Sequence, residues 1–116
     1  VAPDAIEASD AQPAVLRFND ALLEIAGRRP PAVGLATLGI IEDLFATFSA
    51  WIGGAVTAHG WLSDSQLVHY TTHEQLDRVH AAAFFAPLEA TPEVEAALGD
   101  GARLFLDLYT ALHELA

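Results

Sequence analysis

The chain has no cysteine and no lysine among its 116 residues. Without cysteine it forms no disulfide, no thiolate nucleophile, no zinc ribbon and no cysteine-ligated iron–sulfur cluster. Without lysine it has neither a Schiff-base lysine nor the lysine of a phosphate-binding P-loop. Any metal site in this chain must therefore use imidazole and carboxylate ligands, which suit iron, manganese or zinc.

Positive charge is also scarce, because five arginines stand against 16 aspartates and glutamates and give a net charge of -11. Phosphate backbones and anionic membrane surfaces repel such a polyanion, so neither nucleic acid nor a membrane is expected as a partner. The most apolar stretch, residues 32–58, is interrupted by Glu42 and Asp43, which argues against a membrane span. The first ten residues lack the basic and apolar regions of a signal peptide. We therefore expect a cytoplasmic protein.

The apolar residues, with a hydrophobic fraction of 53%, recur at helical spacing and predict an all-α fold of four helices. We expect one helical unit over residues 1–116, with residues 1–9 as a flexible N-terminal segment. The first two helices are predicted to begin after a cap at Asp10 and at about Ala32, and to end near Gly27 and at Gly60. The third begins at a Ser63–Gln66 capping box and ends before Pro87. The fourth follows a Thr91 cap and runs to the C-terminus, with a kink expected at residues 99–101.

The third helix carries the residues with the clearest chemistry. His73, Asp77 and His80 lie within about 60° of one another on the helix surface, at about 100° per residue. Two imidazoles and a carboxylate on one face describe a metal site, although a solvated face with a His–Asp pair gives the same pattern. Glu42 lies in the middle of a very apolar helix, where burying a carboxylate without a partner costs free energy. Either a metal ion pairs with Glu42, or the Glu42 side chain faces solvent.

The run HYTTHEQLDRVHAAAFF, from His69 to Phe85, resembles the metal-binding core helix of the haem-oxygenase-like di-iron proteins, also described as iron-containing redox enzymes. In that family a Glu on one helix is followed about thirty residues later by His, an acid four positions on, and a second His three further. Glu42, His73, Asp77 and His80 match this pattern, and AFFAPLE and GARLFLDLYTAL resemble the family's C-terminal part. The resemblance covers Pro13 to Leu112.

The resemblance implies a haem-oxygenase-like helical bundle, related in fold to the thiaminase TenA and the oxidase PqqC, of which this chain is about half. It implies a non-haem iron oxidoreductase with one or two iron ions, which activates dioxygen to oxidise a small amino-acid-like or fatty-acid-like substrate. The expected metal ligands are Glu42, His73, Asp77 and His80. His69 and Tyr70 are candidates for a supporting or pocket role.

The family's N-terminal part, which supplies a further Glu and His, has no counterpart in this sequence. Three explanations stay open: a separate polypeptide completes the ligand set, a second copy in a homodimer completes it, or the site is incomplete and the protein is a non-catalytic remnant. The excess of apolar residues favours the first two. Two other hypotheses stay open. One is a metal-free helical module for dimerisation or partner binding, and the other is a metal-independent hydrolase or oxidase that uses Glu42 and His73 as acid–base groups.

Overall fold

The structure is a computed structural model that describes residues 10–115. Four α-helices account for most of this range, and a short 3-10 turn precedes the third; no strand occurs within it. The helices are α1 (Gln12–Arg28), α2 (Pro31–Ala58), α3 (Val68–Phe85) and α4 (Pro92–Glu114), with the 3-10 turn at Asp64–Gln66. The predicted all-α fold with four helices is confirmed. The segment predicted for residues 1–9 lies outside the described residues.

Two of the predicted helix ends form as expected. The Thr91 hydroxyl accepts a hydrogen bond from the Val94 N–H at 3.2 Å and caps α4, whose first turn contains a proline. Gly60 ends α2 with a φ of 69°, a conformation that costs glycine little. There the Trp61 N–H donates to the Val56 carbonyl at 3.1 Å, which satisfies a carbonyl at the helix end.

Three other predictions about helix ends and bends need correction. The Ser63–Gln66 capping box does form, with the Ser63 N–H donating to the Gln66 side chain at 2.9 Å, but it caps the 3-10 turn. Helix α3 starts only at Val68. Asp10 lies in a turn, and the position that precedes α1 is Ala11, without a side-chain cap. Helix α4 continues without interruption through residues 99–101.

Helix α2 is the centre of the fold. Helices α3 and α4 both pack along it, whereas α1 makes smaller contacts with α4 and with α2. The buried core between α2 and α4 is built from small side chains, namely Val33, Ala36, Val94 and Ala97. Small residues on facing positions allow the two helices to approach closely. The same helix therefore positions residues against α3 on one side and against α4 on the other.

Two glycines are required where α2 meets its neighbours. A Cβ atom at Gly39 would lie 2.5 Å from the ring of Phe85 on α3. A Cβ atom at Gly101 would lie 2.6 Å from Ile40 and 3.1 Å from the backbone carbonyl of Thr37, both on α2. Gly101 therefore serves helix contact rather than the predicted kink.

Helix α2 is long and apolar enough to cross a bilayer, judged by length and composition alone. No other helix among the described residues meets this criterion. Its most apolar window has a mean hydropathy of 1.4, so the expectation that Glu42 and Asp43 rule out any such segment was too strict. Core helices of soluble proteins meet the same criterion, so this is weak evidence. In the structure, α3 and α4 cover part of this helix.

Candidate metal centre

The site forms where the middle of α2 meets the C-terminal half of α3. The turn between Ala58 and Val68 reverses the chain, so α3 runs back along α2 and brings residues distant in sequence together. Glu42 of α2 thereby meets His80 of α3, with 3.8 Å between the Glu42 Oε2 and His80 Nδ1 atoms. Helical spacing alone predicts that His73, Asp77 and His80 share one face of α3. The packing of α3 against α2 brings the Glu42 carboxylate to that face.

Three of the four predicted ligands converge. Glu42, Asp77 and His80 each offer one ligand atom, and these atoms all lie within 4.8 Å of one another. Ligand atoms at about 2.0–2.2 Å from a metal ion stand about 3–4.5 Å apart, so small side-chain rotations suffice for coordination. The two carboxylates and the imidazole form the mixed oxygen and nitrogen donor set that suits iron, manganese or zinc.

His73, the fourth predicted ligand, lies beside this group. Its Nδ1 atom is 3.8 Å from the Asp77 Oδ1 atom, and its side chain is half exposed. It does not belong to the set of ligand atoms that lie within 4.8 Å of one another. His73 is therefore placed to orient Asp77, or to reach a metal after a change of its side-chain rotamer.

His69 and Tyr70 lie in the same cleft, one helical turn before His73. The His69 ring lies against the His73 ring with 4.4 Å between centroids, and it meets the Tyr70 ring edge-on at 5.4 Å. His69 therefore contacts His73 directly, and its supporting role stays a prediction. Tyr70 also lines the groove on the other side of α3, next to Gly53.

The electrostatics of the site favour a cation. The side chains of Asp77 and Glu42 are 11% and 31% exposed. Burial raises the pKa of Glu42 above its usual 4.5, and the adjacent Asp77 carboxyl raises it further, while His80 and His73 lower it. The nearby Arg78 is paired with Glu74 at 3.9 Å and does not serve the two carboxylates. In the described residues, the basic side chains within 4.0 Å of these two carboxylates are the imidazoles of His73 and His80, which carry charge only when protonated.

We expect Glu42→Gln to raise the melting temperature of the metal-free protein at pH 7. The pKa of Glu42 is higher in the folded protein than its usual 4.5, so the free energy of unfolding falls as the pH rises from below 4.5 to above the folded-state pKa. This loss of stability persists at neutral pH. Glutamine does not ionise, so the variant escapes this loss. The difference from the wild type should shrink to nothing below about pH 4, where Glu42 is protonated in both states.

Thermal melts in chelator between pH 3.5 and 8 measure this effect. Glu74→Gln is the matched control, since it removes a carboxylate on α3 that lies outside the cluster. An equal effect of both substitutions, or a Glu42→Gln effect that does not change with pH, would contradict the assignment of a charge penalty to Glu42.

A cleft of about 370 Å³ opens beside the cluster, and its lining includes aromatic residues that the sequence did not single out as part of a site. Phe45 and Phe48 line this cleft while packing on Tyr109 at 6.1 and 4.5 Å between centroids. Tyr109 itself was not foreseen, and burial raises its pKa. The spacing of Phe45, Phe48 and Ile52 on one side of α2 was the available signal.

Comparison of the chain with protein-family models, with curated proteins and with solved structures returned no match. The resemblance to the haem-oxygenase-like di-iron proteins therefore stays a prediction. The interpretation of the site rests on the chemistry of its own side chains and on their convergence from two helices.

Proposed function

We propose that this chain is one half of a non-haem iron oxidoreductase, in which Glu42, Asp77 and His80 hold the metal. The observation that supports this most directly is that the three ligand atoms, drawn from two helices, lie within 4.8 Å of one another. Two carboxylates at such close range repel each other unless one of them is protonated or a cation lies between them. The residue pattern that predicted a metal site, which the family resemblance narrows to iron, thus coincides with a place where two carboxylates attract positive charge.

The residues present fit an iron ion. Carboxylate and imidazole ligands with open coordination positions are the ligand type of non-haem iron oxygenases, and iron held in this way supplies the electrons that reduce dioxygen. The protein's own contributions are distinct from that chemistry. Asp77 is the most buried ligand, Glu42 supplies the second charge, and His73 lies 3.8 Å from Asp77, outside the cluster, where it can orient that carboxylate.

The ligand set in this chain is partial, and one side of it is open. His80 and His73 are about half exposed, and the cleft next to them is open to solvent. We infer that a second copy of the chain or a separate polypeptide covers this side and adds ligands. The substrate proposed from the family resemblance, a small amino-acid-like or fatty-acid-like molecule oxidised with dioxygen, would bind in the enclosed space.

Anaerobic reconstitution with ferrous iron, followed by desalting, elemental analysis and native mass spectrometry, tests the proposal. We expect one or two iron ions per site and loss of the ferrous signal on exposure to oxygen. The mass of the particle identifies a homodimer or a second polypeptide. Iron no higher than in a matched sample of Asp77→Asn would overturn the proposal. Catalytic activity that persists after a chelator has removed the metal would instead favour a metal-independent reaction in which Glu42 and His73 act as acid–base groups.

A second candidate function, a metal-free helical module for dimerisation or partner binding, is favoured by the outer surface of α3. Val68, Leu76 and Val79 are 64%, 47% and 64% exposed. At about 100° per residue they fall within about 80° of one another, on the side of α3 opposite Ala81 and the other residues that face α2. We call these three residues the α3 stripe. Exposed apolar side chains grouped on one helix face are typical of an interaction surface.

If the α3 stripe mediates homodimerisation, Val79→Glu should weaken the dimer by about 100-fold, because a two-fold axis places the new charge at the interface twice. Sedimentation velocity in chelator measures this without involving iron. Leu23→Glu on α1, where Leu23 is 72% exposed, is the control and should leave the dimer intact. A wild-type chain that is monomeric at all concentrations, or two variants with equal effects, would exclude this interface.

A further inference from the structure

We propose that the cleft beside the cluster binds a compact aromatic molecule, with its flat ring against Phe48 and Tyr109 and its polar end toward Glu42 and Asp77. The cleft is large enough for a two-ring ligand, since its volume of about 370 Å³ lies within the range of small-molecule sites. That such a molecule is also the substrate rests on the proposed function. That it binds does not depend on iron.

The wall of the cleft is aromatic. Phe45, Phe48, Tyr70 and Tyr109 line it, together with Ile52. The Phe48 and Tyr109 rings are 4.5 Å apart and tilted by 48°, and Phe45 meets Tyr109 nearly edge-on. A planar ligand ring can therefore lie offset on one ring and edge-on to another, which are the two geometries that aromatic pairs prefer. A saturated ring of the same size fills the space but gains neither contact.

Behind these rings, the wall is fixed by packing. Phe105, which is 5% exposed, contacts Phe45 edge-on at 5.0 Å and Phe48 at 6.0 Å between centroids. Rings held in place by a buried neighbour lose little conformational entropy when a ligand binds. The aromatic wall is thus pre-formed in the unliganded chain.

Three hydroxyl groups of the cleft are free to bind a ligand. Within residues 10–115, the side-chain hydrogen bonds are local ones in helices, caps and turns, and none uses Ser49, Tyr70 or Tyr109. The Glu42 and Asp77 carboxylates lie close together in the lining of the same cleft. A hydroxyl group on the ligand would find acceptors there. The cleft therefore selects a molecule with one aromatic and one polar end.

In the test, the 116-residue chain is titrated in chelator with 2-naphthol and, separately, with its saturated analogue decahydro-2-naphthol, and backbone amide shifts are followed by NMR. We expect 2-naphthol to shift the amides of Ser49 and Ile52 and to bind about two- to tenfold more tightly than the saturated alcohol. Phe48→Leu should abolish this preference, whereas Phe48→Tyr, which keeps a ring, should retain it. Phe18→Leu, in a different cleft between α1 and α4, is the matched control.

Equal affinities for the two alcohols would overturn the proposal. So would shifts that map to the cleft around Phe18, or the absence of any shift because a partner chain fills the space. All arms use metal-free protein, so failure to take up iron would defeat the proposed function and leave this inference standing. A chain that binds iron but does not prefer 2-naphthol over the saturated alcohol would support the proposed function and overturn this inference.

Discussion

Replacing Asp77 with Asn should lower the affinity of the chain for ferrous iron by at least about 100-fold. Loss of a supporting residue around a metal site typically costs ten- to a hundredfold in affinity, and loss of a charged ligand costs at least as much. Asp77 is the most buried member of the cluster, and its ligand atom lies within 4.8 Å of the ligand atoms of Glu42 and His80. Asparagine keeps the shape but removes the charge. Anaerobic titration with ferrous iron measures the change.

Substitutions of His73 and His80 on α3 distinguish a metal site from a polar helix face. His80 belongs to the cluster and His73 lies beside it, so His80→Ala should reduce iron binding more than His73→Ala. His59→Ala, at the end of α2 and far along the chain from the cluster, is the control for general loss of imidazole. Wild-type iron content in both Asp77→Asn and His80→Ala would refute the assignment of these residues as ligands.

Gly101→Ala should lower the free energy of unfolding by roughly 1–3 kcal/mol, the usual cost of adding a methyl group to a filled contact. The new Cβ atom would lie 3.1 Å from the carbonyl oxygen and 3.2 Å from the Cα atom of Thr37. These are backbone atoms of α2, which move only if the two helices separate. Chemical denaturation followed by circular dichroism measures the loss.

Gly99→Ala is the matched control for this substitution, because Gly99 lies on the same helix and a Cβ atom there meets nothing within 4 Å. It should raise the free energy of unfolding by up to about 1 kcal/mol through better helix propensity. The difference between the two variants isolates the contact between α4 and α2. A Gly101→Ala variant as stable as Gly99→Ala would mean that the helices do not approach as closely as the structure shows.

The helices were predictable because their signals are local. Proline at the first turn, the Thr91 cap and the glycine at the end of α2 each act within a few residues, so a single sequence reveals them. The start of α3 was misplaced for the same reason. The Ser63–Gln66 capping box is real, but a 3-10 turn and an α-helix share that local pattern, and the chain continues as an α-helix only from Val68.

The site was predictable in part. The spacing of His73, Asp77 and His80 fixes their common face on one helix, and an acid in an apolar helix marks Glu42 as unusual. The sequence could not show which imidazole lies next to Glu42, because this depends on how α3 is rotated and shifted against α2. That packing favours His80 over His73 as the neighbour of Glu42. The role of Tyr109 in the cleft was hidden for the same reason.

The sequence by itself determined the all-helical architecture, the type of ligand available and the two stretches that carry it. These follow from periodicity and composition, which act along one chain segment at a time. Only the tertiary structure decided which side chains meet and which face stays open, because interhelical contacts depend on small residues such as Gly39 and Gly101 that set how closely the helices approach. The cluster on α2 and α3 and the aromatic cleft beside it are products of that approach.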